Sequence, residues 1–252
     1  MHKQKLSAVI ITFNEEACIA ECLEALAFCD EVLVVDSESS DTTVGICQQM
    51  GAKVINQPWL GFGPQKYYAV EQAANDWVLC MDADEVVTRA LRASIEALML
   101  SPGQTAYRMP RCNRFLGREL RYGEGYPDLS LRLFDRRKAQ WSQDAVHEKV
   151  NATGTVGVLS GDIMHSSAET LEKYLSTQNS YTSIQARALF VRGKRAGIVQ
   201  LLLSPLVRFL KFYFFKRGFL DGTPGLIHIS IGCMNAFVKY AKLKELSSGE
   251  RE

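Results

Sequence analysis

Three carboxylates crowd into the tetrad Asp82-Ala83-Asp84-Glu85, which closes the apolar run Trp77-Val-Leu-Cys-Met81. Carboxylates two residues apart, placed where a chain leaves a sheet, can converge on one hard cation. Mg²⁺ or Mn²⁺, which share their shells with substrate phosphate oxygens, suit Asp82 and Asp84. A solvated capping turn is the plain alternative. A second polar stretch, Ile11-Thr-Phe-Asn-Glu-Glu16, follows another apolar run, and a third begins at Asp36 and includes Ser39 and Asp41. No Gly-x-Gly-x-x-Gly follows the first run, which argues against a dinucleotide site. The seven cysteines, at 18, 22, 29, 47, 80, 112 and 233, fall mainly in apolar periodic segments, and a zinc site from Cys18, Cys22 and Cys29 would lack a Cys-x-x-Cys pair and a fourth ligand. They read as reduced core thiols.

The elements that must hold these groups alternate. Residues 6–13, 31–36, 53–56 and 76–81 read as β-strands, the first nearly continuous in apolar residues, as a strand buried on both faces is. Between them lie a helix that Asn14 can cap, running to about Phe28, with Glu15 and Glu16 in its first turn, and a helix capped by Asp41 and ending at Met50. After a Gly61–Pro64 loop comes a helix over 65–75. Four strand-helix alternations predict an α/β, doubly wound, Rossmann-like and mostly parallel sheet, whose ligands bind at the carboxyl ends of the strands.

From about Ser101 the pattern changes. Arg111–Arg118 through Tyr122–Asp128 reads as a long basic, aromatic loop, with short strands at 130–134 and 156–159. Ser166-Ser-Ala-Glu169 has the form of a capping box opening a helix to about Arg192. Residues 1–100 hold 6 Lys/Arg against 15 Asp/Glu, and the remainder is basic, which suits an anionic partner for the second part. No recognised nucleic-acid motif accompanies the excess of cations. Residues 198–220 are almost wholly apolar apart from Arg208, Lys211, Lys216 and Arg217. Pro205 and the internal cations disfavour a spanning helix; the segment fits an interfacial helix or a buried amphipathic one that completes the core. The N-terminus lacks the form of a secretory leader, which predicts a cytoplasmic protein.

Val-Ile-Ile-Thr-Phe-Asn-Glu-Glu, then Val-Val-Asp-Ser-x-Ser-x-Asp-Thr-Thr, then Trp-Val-Leu-x-x-Asp-Ala-Asp-Glu closely resemble, in order and spacing, the family 2 (GT-A) glycosyltransferases. With Arg111-x-x-Arg114, Tyr126-Pro-Asp128, Arg132-Leu-Phe and Gly218–Gly222, the whole chain resembles the bacterial lipopolysaccharide core β-glucosyltransferases. The resemblance implies a GT-A domain whose nucleotide-sugar half is 1–100 and acceptor half 101–165, with a helical, membrane-associating region over 166–252. It also implies a nucleotide-sugar donor such as UDP-glucose, an inner-core heptose of lipopolysaccharide or another lipid-linked glycan as acceptor, and a place on the cytoplasmic face of the inner membrane. Thr12, Phe13, Asn14, Glu15, Asp36 and Ser39 would then line the donor pocket. Lys66 would neutralise the diphosphate, and Asp82, Asp84 and His165 would hold the metal, although a satisfied structural role fits His165 equally. Arg114 and Asp128 would meet substrate. Inverting transfer needs a general base, for which Glu148 in Val146-His147-Glu148 is favoured over Asp128 and Asp144. A polyprenyl-phosphate transferase and a non-catalytic nucleotide-sugar-binding protein are the alternatives.

Overall fold

Strand and helix alternate from Leu6 onward: β1 (Leu6–Thr12), α1 (Ile19–Leu26), β2 (Glu31–Asp36), α2 (Thr43–Gln49), β3 (Lys53–Asn56), α3 (Phe62–Glu71) and β4 (Trp77–Asp82). There follow β5 (Glu85–Val87), α4 (Arg89–Leu98), β6 (Ala106–Phe115), β7 (Arg118–Glu119), β8 (Asp128–Asp135), β9 (Ala139–Trp141), β10 (Val150–Ala152), β11 (Val156–Val158) and β12 (Ile163–Ser166). The chain ends in α5 (Leu171–Val191), α6 (Ile198–Phe209) and α7 (Gly222–Ser248). The computed structural model describes residues 3–143, 148–166 and 170–248. It divides into two compact units, Met1–Arg111 with Asp128–His165, and Cys112–Pro127 with Ser166–Glu252.

The first unit is built on a sheet of order β3-β2-β1-β4-β8-β6-β12-β5, with β11 beside β6. The pairings among β3, β2, β1 and β4 are parallel, whereas β4 with β8 and β8 with β6 are antiparallel. Period-two alternation sorts β1 and β4 between two cores. Ala8, Ile10, Leu79 and Met81 pack with Ile19, Cys22, Leu23 and Leu26 of α1 and with Leu91 and Ile95 of α4. Val9, Ile11, Val78 and Cys80 pack with Ala69 and Val70 of α3 and with Trp141 of β9. A strand covered on both faces is buried along its whole length, as all seven residues of β1 are, which is why five of the seven are apolar.

Several boundaries differ from the sequence reading. Helix α1 begins only at Ile19, without a side-chain cap. Asn14 is left-handed (φ 54°) and accepts the Ser40 N–H at 2.8 Å, so it ties two loops together and does not start a helix. Helix α3 starts at Phe62, because Gly61 (φ 101°) makes the entry turn and Pro64 is tolerated in the first helical turn. The expected loop after Arg111 is partly strand: β6 continues to Phe115 and, within the second unit, pairs with β7. Thr170, whose hydroxyl accepts the Lys173 N–H at 3.1 Å, caps α5. Ser166 ends β12, and the rest of the expected capping box, residues 167–169, lies outside the described residues.

The second unit joins Cys112–Pro127 to the C-terminal helices. The buried Asp221 carboxylate accepts the backbone N–H groups of Arg121 (3.2 Å) and Tyr122 (2.9 Å), and Glu124 forms an ion pair with Arg208. Phe115, Leu120 and Ile231 form its small core, with Tyr174, Leu175 and Ile227 packed against them. Helix α6 contains Pro205 and continues as a π-helical stretch, Leu210–Phe215. By length and composition Ile198–Phe215 could cross a membrane, and only 6% of it is buried.

Candidate active site

Strand β4 aims the chemistry. Val78, Cys80 and Asp82 share one face, so the periodicity that buries the first two against α3 and β9 delivers the Asp82 carboxylate to Lys66 of α3. Lys66 Nζ lies 3.1 Å from Asp82 Oδ1 and 3.3 Å from Glu148 Oε1, and 4.9 Å from the Trp141 ring centroid. On the other side of Asp82, Arg132 Nη2 meets Asp82 Oδ2 at 2.8 Å and Glu85 Oε1 at 3.0 Å. Arg111 Nη1 stands 3.7 Å from the same Glu85 oxygen, and Arg111 Nη2 binds Asp128 Oδ2 at 2.9 Å. The charges therefore alternate in a continuous ladder from Glu148 through Lys66, Asp82, Arg132, Glu85 and Arg111 to Asp128. Strand register builds its far end, since Arg111 and Asp128 are direct partners in the β6–β8 pairing.

Burial makes these pairings matter, because an unpaired charge inside the protein costs several kcal/mol. Burial acts to raise the Asp82 carboxyl, but the charges of Arg132 and Lys66 outweigh it and hold the group well below the usual carboxylate range. Glu85, fully buried, is shifted upward: burial is the largest influence, Arg132 pulls against it, and the Asp82 charge adds to the rise. Glu85 also accepts the Asp82 N–H at 3.0 Å, which fixes the turn after β4. Arg132 holds its proton more firmly than a free arginine; burial opposes this, and the Asp82 and Glu85 charges prevail.

The expected donor-pocket residues come together at the carboxyl ends of β1 and β2. Ser39 Oγ accepts the Asn14 N–H at 2.9 Å, and Thr43 Oγ1 accepts that of Glu15 at 2.8 Å. Asp36, 1% exposed, accepts both the N–H (2.8 Å) and the hydroxyl (2.5 Å) of Ser39, so its carboxylate organises this turn. Glu15 Oε2 takes the Cys18 thiol at 3.0 Å, and the Phe13 ring is 55% exposed. Two buried polar atoms have no partner among the described residues, Thr12 Oγ1 at the end of β1 and Arg132 Nη1 inside β8. Buried donors and acceptors are rarely left unpaired, and a bound substrate would supply the missing bonds.

The expected convergence of Asp82 and Asp84 on one ion takes a different form. Both Asp82 oxygens face cations, while Asp84 Oδ2 lies 3.1 Å from Nε2 of His165, the residue that faces Glu85 in the β5–β12 register. Among the described residues no three His, Cys, Asp or Glu side chains form a ready metal cluster. The Asp84–His165 pair supplies one carboxylate and one imidazole, a donor set that would suit a divalent cation taking its remaining ligands from substrate and water. Arg114 is exposed and belongs to the second unit. Asp144 and His147 lie outside the described residues. The sequence reading gave no individual role to Arg132, Arg111 or Trp141; the one available signal was an arginine inside the apolar run Leu129-Ser-Leu-Arg-Leu-Phe134.

Residues 7–136 match the model of glycosyl transferase family 2. The chain belongs to that family and is a glycosyltransferase of GT-A fold with a helical C-terminal extension. It is 34% identical to a glycosyltransferase of Rickettsia typhi, over 98% of this chain and 89% of that one. It is 30% identical to the lipopolysaccharide core biosynthesis glycosyltransferase LpsC of Rhizobium meliloti, over 96% of this chain and 92% of the relative. Glucosyl-3-phosphoglycerate synthase of Mycobacterium tuberculosis overlaps 42% of this chain and 43% of its own, at 22% identity and a TM-score of 0.37, which is too slight to bear on activity.

Proposed function

We propose that the protein transfers a hexose, glucose in the favoured case, from a nucleoside-diphosphate sugar to a lipid-linked glycan with inversion at the anomeric carbon. The inner-core heptose of lipopolysaccharide is the acceptor this reading favours, as the similarity to LpsC along almost the whole chain suggests. The observation that carries the reaction is the position of Lys66 between Asp82 and Glu148. An ammonium has three donors, so Lys66 can keep its contact with Asp82 and turn another N–H to the departing diphosphate. Glu148, close to the same point, takes the proton of the acceptor hydroxyl as that oxygen attacks in line. Charge developing on the leaving group then meets a positive site already in place, with no reorganisation at the moment of reaction.

Asp84 and His165 would hold the divalent cation. When bound it supplies Lewis-acid neutralisation of the diphosphate, and an imidazole in the ligand set points to Mn²⁺ ahead of Mg²⁺. The exposed Phe13 ring stacks on the base, Thr12 Oγ1 and Arg132 Nη1 bind donor hydroxyl or phosphate oxygens, and Asp36 and Ser39 keep the loop in shape. Asp128 is bound to Arg111 and serves the acceptor side, leaving Glu148 as the base.

The apolar face of Ile198–Phe215 brings the enzyme to its lipid-linked acceptor. Leu202, Leu206, Val207 and Phe215 are 64%, 57%, 58% and 83% exposed, and Arg192, Lys194, Arg195, Lys211, Lys216 and Arg217 flank or interrupt the segment. Burial of Leu201 and the Arg208–Glu124 pair hold α6 to its own unit, so it lies in the interface and does not cross. The Glu148→Gln variant tests the mechanism. It should bind the nucleotide-sugar as the parent does and lose transfer by at least about a hundredfold, within the range for a general base. Near-parental turnover would move the base elsewhere.

A further inference from the structure

Between α5, α6 and α7 of the second unit lies a polar cavity of about 110 Å³, lined by Gln178, Tyr181, Gln185, Arg208, Asn235 and Lys239 among others. Its charge is unbalanced. Arg208 is matched by Glu124, which does not line the cavity. Lys242 lies one helical turn below Lys239 and spends its ammonium on Asn179, Thr182 and Ser183. Gln178 and Asn235 are bonded to each other at 2.8 Å. Lys239, by contrast, has no hydrogen-bond or ion-pair partner among the described residues, only the face of Tyr240 at 4.6 Å. Burial and then the Arg208 charge both press against the Lys239 ammonium, which an anion in the cavity would relieve.

We propose that this cavity is a phosphate-binding site, in which the Lys239 ammonium, with Arg208 beside it and the Tyr181 hydroxyl and Gln185 amide at its rim, receives a phosphate monoester or diester. Two features favour phosphate over a halide. The volume accommodates a tetrahedral oxyanion, and donors from three different helices, with one uncompensated ammonium among them, suit an anion that offers several acceptor oxygens. The site shares no residue with the donor pocket described above. Two sources share this chemistry: the headgroup of a phospholipid, within reach because the exposed apolar segment belongs to the same unit, and a free or sugar-borne phosphate.

The test uses the full-length protein with two probes: inorganic phosphate followed by calorimetry, and vesicles of phosphatidylcholine with or without phosphatidic acid followed by co-sedimentation. Lys239→Gln removes the charge at a half-buried position, and Lys244→Gln, on the same helix and exposed, controls for net charge. The expected result is saturable binding of at least one probe, weakened about tenfold or more by Lys239→Gln and hardly at all by Lys244→Gln. Phosphate binding alone assigns a free or sugar phosphate. A phosphatidic-acid preference lost in Lys239→Gln assigns a headgroup. If neither probe saturates, or both variants weaken binding equally, the site is overturned. Because inorganic phosphate needs no membrane, failure of the membrane reading would leave that arm intact.

Discussion

Replacing Arg132 by Met should damage the first unit by a calculable amount. Arg132 is 5% exposed and is the main counter-charge of Glu85, which is 0% exposed. Breaking a buried pair from one side costs about 3–5 kcal/mol. Here Arg111 at 3.7 Å and the Asp82 N–H at 3.0 Å remain near Glu85, so the lower end applies, about 3 kcal/mol. For a chain of this size that lowers Tm by about 6–12 °C. Tryptophan fluorescence is the suitable probe, since Trp59, Trp77 and Trp141 all lie in the first unit and report it alone. Adding Glu85→Gln removes the stranded charge, and the double variant should recover to within about 1–2 kcal/mol of the parent. The pH dependence has a definite sign. The folded Glu85 carboxyl is raised above its unfolded value, so its contribution is most favourable below the unfolded value and is lost as pH rises through the folded one. Without Arg132 that rise grows, and the single variant's deficit should shrink between about pH 8 and about pH 5. Asp82 is shifted the other way, and its contribution is lost only as pH falls through a folded value far below this window. A single variant within about 1 kcal/mol of the parent, or a double variant no better than the single, would refute the assignment of Arg132 as the counter-charge.

Two further outcomes follow from exposure and burial. Leu202→Asp with Leu206→Asp, both at exposed positions of α6, should leave the unfolding midpoint unchanged and weaken vesicle binding by roughly a hundredfold, about a factor of ten for each side chain withdrawn from lipid; unaltered co-sedimentation would dismiss α6 as the contact. Burial pushes the Cys29 thiol up to about 12 and the Cys47 and Cys80 thiols to about 11. At about pH 8 the folded protein should therefore resist alkylation at these three positions and react there only in denaturant, as peptide mapping by mass would show.

The sequence revealed what local pattern determines and hid what distant pairing determines. β1, β2 and β4 could be located because short apolar runs rich in Val and Ile or bounded by turn residues suit a strand buried on both faces, and the tetrad was visible because its carboxylates are close in sequence. The partners of that tetrad were not. Arg132 reaches Asp82 across a gap of fifty residues through the antiparallel register of β4 and β8, and no periodicity announces a cation whose counter-charge lies on another strand. The reading of Asp82 as a ligand had no sight of the ion pairs that Lys66 and Arg132 make with it, for this reason, while Asp84, beyond the turn, meets His165 because β12 pairs with β5. Asn14 misled because Asn serves both as a helix cap and in left-handed turns, and only its bond to Ser40 decides between them.

The central claim is inverting hexosyl transfer, and the stereochemistry of the product tests it most directly. The protein is incubated with Mn²⁺, a panel of α-linked nucleotide-sugars and a deacylated core oligosaccharide, and the product is followed by mass and by the proton coupling at the new anomeric centre. The account predicts that one donor is consumed, that the acceptor gains a single hexose, and that the new linkage is β. A new linkage of α configuration, or no product from any donor while the chain is folded and binds nucleotide, would contradict it.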